Sequence, residues 1–163
     1  MPTKSTVKPV PAGMHTVTPS MTIAGCVKAI DFYTRALGAE ELDRHMAPDG
    51  KTVWHAALKI GDSVLFMNDE MEAMTGPAPG PGRPSPVRMW LYVTDCDAAF
   101  RRAVDAGAKV KMPLEDMFWG DRCGVVTDPF GYDWTIASRV QDLTREEMQR
   151  AGEEFAKKMA APK

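Results

Sequence analysis

Apolar and polar positions alternate along this chain in two matching rounds. Ser20–Cys26 and Trp90–Cys96 are apolar, extended runs that end in small or acidic residues. A helical period follows each. The first stripe gathers Ile30, Tyr33 and Leu37 and stops at Gly38; the second gathers Ala99, Ala103 and Ala106 and stops at Gly107. Cys26 and Cys96 stand 70 residues apart and the two glycines 69, so a one-residue gap superposes the halves. Each half then resumes strand-like patterning. Val53–Ile60 and Ser63–Met67 flank Gly61-Asp62, a strong hairpin signal, and Gly124–Thr127 and Trp134–Ser138 flank Asp128–Gly131. Each half therefore reads strand, helix and three strands, one of which is only weakly marked. The fold class expected is α+β, with tandem βαβββ modules. One module alone would leave a sheet face exposed, whereas two side by side can curve a joint sheet around a cavity.

Between the rounds lies MTGPAPGPGRPSP, Met74–Pro86, too rich in proline and glycine to continue a helix or a central strand. This divides the chain into an N-terminal arm (1–14), module one (15–73), a linker (74–86), module two (87–140) and a C-terminal segment (141–163). In the last, Thr144 and Glu147 have capping-box spacing, with Leu143 and Met148 placed as its hydrophobic staple. Met148, Phe155 and Met159 recur at helical spacing. An amphipathic helix is expected there, packed on its own body or on a partner subunit.

Composition narrows the functional classes. The chain has 163 residues, 44% hydrophobic and 26% charged, as in soluble globular proteins. A net charge of -2 without a basic run argues against nucleic acid or anionic lipid as a partner. No apolar stretch approaches the roughly 20 residues of a membrane span, and the proline-containing N-terminus does not read as a signal peptide. Three cysteines, Cys26, Cys96 and Cys123, form no C-x-x-C pair. Free thiols in a reducing compartment, the cytoplasm by default, are expected. No P-loop, dinucleotide fingerprint or Ser/His/Asp order stands out.

AIDFYTRALGA (Ala29–Ala39), LYVTD (Leu91–Asp95) and DPFGYDW (Asp128–Trp134) resemble the glyoxalase/bleomycin-resistance, or vicinal oxygen chelate, superfamily. MPLEDMFWGDR (Met112–Arg122) and DLTREEM (Asp142–Met148) resemble its PhnB-like, glyoxalase-type branch. The resemblance covers the chain from Thr16 onward. It implies paired βαβββ modules in an open, eight-stranded barrel-like sheet, a homodimer, and a ligand pocket on the concave face. Its members include metal-dependent lyases and isomerases, dioxygenases and metal-free drug-binding proteins, and fold does not choose among them.

The enzymes of that superfamily hold a divalent metal with His, Gln or Glu at four strand positions, leaving coordination sites for two substrate oxygens. Carried over, those positions fall on Thr18, Arg88, Phe66 (or Leu65) and Thr135. None is a good ligand, and a guanidinium repels a cation. No cofactor is therefore expected. His15, three residues before the first position, and His55, in an extended segment, are the alternative ligands; His45 lies in a polar connection.

Without a metal, the informative residues are aromatic and soft. Trp54, Phe66, Met67, Trp90, Tyr92, Phe118, Trp119 and Trp134, with Arg88, are candidates to line a cup for a small organic molecule. Period two sends about half of any such set to the other side. Gly120 permits a sharp turn before Asp121 and Arg122. That pair could sit at a pocket mouth, Arg122 gripping a carboxylate or phosphate, or could tie the loop down. A metal-free acid–base reaction would use Asp121 or Glu115 to move a proton and Arg122 to stabilise an oxyanion. Cys123, beside Arg122, could act as a nucleophile, but no histidine adjoins it in sequence and lone cysteines are usually buried and inert. The leading expectation is a metal-independent ligand-binding protein; the rival is a glyoxalase-type lyase, isomerase or dioxygenase with an unusual ligand set.

Overall fold

A computed structural model of the chain describes residues 7–160. Residues 1–6 of the expected arm and 161–163 of the C-terminal segment lie outside the described residues. Module one comprises β1 (Ser20–Ile23), α1 (Cys26–Leu37), β2 (Glu40–Met46), β3 (Val53–Ile60) and β4 (Ser63–Asp69). Module two repeats the order with β5 (Arg88–Tyr92), α2 (Cys96–Asp105), β6 (Lys109–Asp116), β7 (Asp121–Thr127) and β8 (Asp133–Arg139), and α3 (Arg145–Ala160) follows. The chain divides into two compact units inside the proline-rich linker, between Pro79 and Gly80.

The expected single eight-stranded sheet is replaced by two four-stranded sheets, ordered β1-β4-β3-β2 and β5-β8-β7-β6. In each, the first strand pairs parallel with the last, and the last three form an antiparallel meander. Hydrogen bonding thus closes within each repeat. The weakly marked strands are β2 and β6, each at an edge of its sheet. An edge strand whose residues are mostly exposed needs little hydrophobic alternation, and charge there blocks unwanted pairing. EELDRHM and KVKMPLED satisfy that with exposed charges, register shifts and Pro113.

Pairing register fixes which side chains share a face, because residues directly opposite in a ladder point the same way. In module one, Met21, Met67, Leu65, Leu58 and Ala56 share a fully buried face. Against it α1 turns Ile30, Tyr33 and Leu37, all buried as the period requires. Gly38 closes that helix in the left-handed conformation, its N–H bonded to the Tyr33 carbonyl. In module two the packed face carries Ile136, Trp134, Val126 and Gly124. A Cβ on Gly124 would meet Phe100 Cε2 of α2 at 2.6 Å, so the helix lies directly on this strand.

Both modules fasten the start of their helix from the end of their last strand. Helix N-termini leave backbone N–H groups without partners, and Gly25, before α1, offers no capping side chain. Asp69 supplies it: Oδ1 accepts from the N–H groups of Gly25 (3.1 Å) and Cys26 (2.7 Å), and Oδ2 from Val53 (2.7 Å). At the corresponding place in module two, Ser138 Oγ accepts from the Cys96 N–H (3.0 Å) and donates to the Val93 carbonyl (2.6 Å). Asp95 caps α2 locally as well, accepting from the Ala98 N–H.

The capping box at α3 forms as its spacing predicts: the Glu147 N–H donates to Thr144 Oγ1, and the Thr144 N–H donates to Glu147 Oε2. No residue of α3 is buried. Its stripe meets the body where Phe155 lies 5.2 Å from Phe118, centroid to centroid.

Asp69→Ala strips three backbone donors of a charged acceptor. It is expected to lower unfolding free energy by about 2–3 kcal/mol, read from urea titration, with Asp69→Asn recovering part of the loss.

Candidate functional site

In each sheet the face turned away from the helix is the one that helix packing leaves uncommitted. On module two's sheet it is ordered in rows running across the four strands. Lys109, Thr127, Asp133 and Arg88 form the first row. Met112, Val125, Thr135 and Trp90 form the second, and Glu115, Cys123, Ala137 and Tyr92 the third. Asp121 and Arg139 stand opposite each other in the fourth. The middle of this face is small and buried: Thr135, Ala137, Cys123 and Val125. Trp90 and Tyr92 remain 46% and 56% exposed, their rings 6.0 Å apart. Among the described residues, Thr135 Oγ1 is a buried side-chain oxygen with no hydrogen-bond partner.

The fourth row is locked. Asp121, 1% exposed, accepts from Tyr92 Oη (2.8 Å) and Trp119 Nε1 (3.0 Å) at Oδ2, and from Arg139 Nε (2.6 Å) at Oδ1. Its bond raises the pKa of Arg139 above the ordinary guanidinium value. The turn before it is the one the sequence marks. Gly120 has φ of 93° and lies so close to the Gln141 carbonyl that a side chain there would collide. Trp119 is thereby aimed back at Asp121, with Phe118 packed edge-to-face on it at 5.0 Å.

Asp121 and Arg122 do not form a pair at a pocket mouth. Neighbours on a strand point to opposite faces. Arg122 lies on the helix side, its Nε and Nη2 both 2.8 Å from the Asp97 carboxylate in the first turn of α2, with Nη1 3.2 Å from Asp116. These hydrogen bonds push the Arg122 pKa up and hold Asp97 below the usual carboxylate range. Arg122 thus ties the helix to the sheet. Glu115 keeps its place on the open face. Cys123 shares that face but is buried, and burial first, then the charge of Asp121, raises its thiol pKa. Burial likewise pushes Cys26 up to about 12.

Of the aromatic and soft candidates, Met67 and Trp134 are corrected to the helix-covered faces, one residue out of phase with Phe66 and Thr135. Trp134 spends its indole N–H on Asp128 (2.9 Å), the carboxylate that also accepts from the Phe130 and Tyr132 N–H groups in the turn. Phe118 belongs to the contact with α3. Trp54, half-exposed, sits where the β2–β3 register slips.

On module one's open face, His55 lies cross-strand from His45, rings 6.3 Å apart, and packs edge-to-face on Phe66 at 4.7 Å. His45 Nε2 is 2.8 Å from Asp43 Oδ2. His15 lines a separate cavity of about 430 Å³ with Leu42, Val64 and Lys59, whose ammonium opposes a cation there. The four superfamily metal positions can also be tested for fit. Register assigns Phe66, not Leu65, to the open face. A phenyl ring, a guanidinium and two hydroxyls are a donor set that does not fit a divalent metal. Among the described residues, no group of three or more His, Cys, Asp or Glu is placed to hold one.

Sequence reasoning missed Lys109, Thr127, Asp133 and Arg139. Period two counted from Arg88 places Trp90 and Tyr92 beside it, but the partners across the sheet follow only from the parallel β5–β8 register.

Two outcomes are expected. All three thiols stay unlabelled by Ellman's reagent at pH 8 in native protein and react on denaturation. Because the Asp97 pKa is depressed, its contribution is present above the unfolded carboxylate pKa and lost as pH falls through the folded one. Arg122→Met therefore lowers the urea midpoint at pH 7, and its difference from wild type shrinks as pH falls below the usual carboxylate range.

Comparison with known proteins agrees with this architecture. Residues 15–136 match the family model for the Glyoxalase/Bleomycin resistance protein/Dioxygenase superfamily. The Mycobacterium bovis protein Mb0911c is 43% identical over 138 residues, covering 83% of this chain and 90% of its own. The Arabidopsis thaliana AT5G48480 structure superposes with a TM-score of 0.61 at 29% identity, over 76% of this chain and 98% of its own. A Bacillus cereus structure described as a PhnB protein and putative 3-demethylubiquinone-9 3-methyltransferase superposes at 0.59 over 76% and 99%; at 16% identity it shows the fold alone. No helix among the described residues is long and apolar enough to cross a membrane. On the family match and these relatives together, the chain belongs to the glyoxalase/bleomycin resistance protein/dioxygenase superfamily.

Proposed function

We propose that this chain is a metal-independent, PhnB-like member of the superfamily that binds a small organic molecule on the open face of its second sheet. The observation that carries the reading is Thr135 Oγ1. A buried hydroxyl without a partner costs about 1–3 kcal/mol, and this one stands in register with half-exposed Trp90. Thr135 Oγ1 is buried, so a ligand stacked on that indole would bond to the hydroxyl, and remove the cost, only as a neighbouring side chain moves aside to uncover it. The donor set at the superfamily metal positions supports independence from metal, and the motifs at Met112–Arg122 and Asp142–Met148 support the PhnB-like branch.

An acid–base reaction through Asp121 and Arg122 draws less support. Three donors already hold the Asp121 carboxylate, and Arg122 faces the helix. Glu115 is the carboxylate on this face for which such chemistry would have to be argued.

The test uses protein stripped with chelator and a thermal-shift panel of small aromatic and aliphatic compounds. Compounds that stabilise the stripped protein are expected, and Thr135→Val should weaken them about 5–10-fold while leaving the free protein as stable or up to ~1 kcal/mol more so. Stabilisation that appears only after nickel, zinc or manganese is restored would overturn the reading.

A further inference from the structure

The open face of the second sheet carries charge unevenly from row to row. In the first row Asp133 is the acidic member, and it is already held: Lys111 Nζ donates to Oδ2 and Thr127 Oγ1 donates to Oδ1 at 2.7 Å. Arg88 and Lys109, at the two ends of that row, have no hydrogen-bonded partner among the described residues. Three cations therefore meet one carboxylate there. Towards the other end the balance reverses. Arg139 is taken by Asp121, and Glu115, exposed in the Tyr92 row, has no cation bonded to it. Between the ends lies the row with no charge, where Trp90 offers its ring beside the unpartnered Thr135 hydroxyl.

We propose that the ligand is a planar aromatic anion, lying with its ring system on Trp90 and its acidic group at the Arg88–Lys109 row. The inference rests on the small-molecule reading above and adds polarity and direction to it. Rows two residues apart along a strand are about 7 Å apart, a span that a fused two-ring carboxylate bridges together with the reach of a guanidinium. Arg88 is the better of the two anchors, since its fork meets both carboxylate oxygens and it lies on the same strand as Trp90. The reverse orientation would bring the acid towards Glu115 and is disfavoured by like charge. A neutral ligand would leave the excess of cations unused, and an aromatic ammonium would meet it.

The experiment compares 2-naphthoate, 2-naphthamide and 2-naphthylmethylammonium by calorimetric titration against the full chain at low salt. The acid should bind at least about tenfold tighter than the amide, the cation weakest. Arg88→Met should bring the acid to within about twofold of the amide, and Arg88→Lys should restore part of the difference. Raising salt to 0.5 M should compress the preference, as screening requires. Equal affinity for acid and amide, tighter binding of the cation, or a preference that survives Arg88→Met would overturn the inference and leave small-molecule binding standing. Binding of none of the three would overturn it too, and the chelator-stripped panel then decides separately whether this face takes any small molecule.

Discussion

Successive side chains of a strand cannot share a face, and in the inner strands of this chain one face is already committed. Each βαβββ unit must bury its helix against its own sheet, so half the positions of β3, β4, β7 and β8 are fixed by packing before any chemistry is chosen. Met67, Leu58, Trp134 and Val126 go to that side. What remains is a second set, out of phase by one residue, whose composition is free of the demand for a dry core. On the second sheet that set separates into charged, aromatic and locked rows.

The two repeats meet the same mechanical need with different chemistry. A carboxylate, Asp69, gathers the start of α1 and the start of β3; a hydroxyl, Ser138, relays between the start of α2 and the end of β5. Cys26 and Cys96 fill matching buried positions beside these fastenings. The joint is the same in both repeats, and the atoms that make it differ. The positions matching the superfamily metal ligands, Thr18, Phe66, Arg88 and Thr135, carry a phenyl ring, a guanidinium and two hydroxyls instead.

Much of the fold was legible because it rests on local rules. The 70-residue offset, the glycine stop at Gly38, the hairpin at Gly61-Asp62 and the capping box at Thr144 each have a cause within a few residues. Strands β2 and β6 were faint for a physical reason, since their largely exposed positions carry charge in place of apolar alternation. The site was less legible. Asp121-Arg122 read as a working pair because adjacency in sequence looks like proximity, whereas the strand sets them on opposite sides. Arg139 and Asp133 gave no signal of their own; the parallel register of β5 on β8 brings them into the rows, and register depends on partners far away in the chain. Trp134 was aromatic and on the right strand, but in the wrong phase.

The turn at Gly120 gives the molecule an internal optical gauge. Phe118 touches Phe155 on α3 and packs on Trp119, whose indole N–H ends on the Asp121 carboxylate that also holds Tyr92. A rod lying against the body through one aromatic stack is thus wired, ring by ring, to the rim of the open face. Whatever lifts or presses that rod changes the surroundings of one indole, so in a variant with Trp54, Trp90 and Trp134 replaced, emission from Trp119 would carry news of the C-terminal helix to an observer looking only at the sheet.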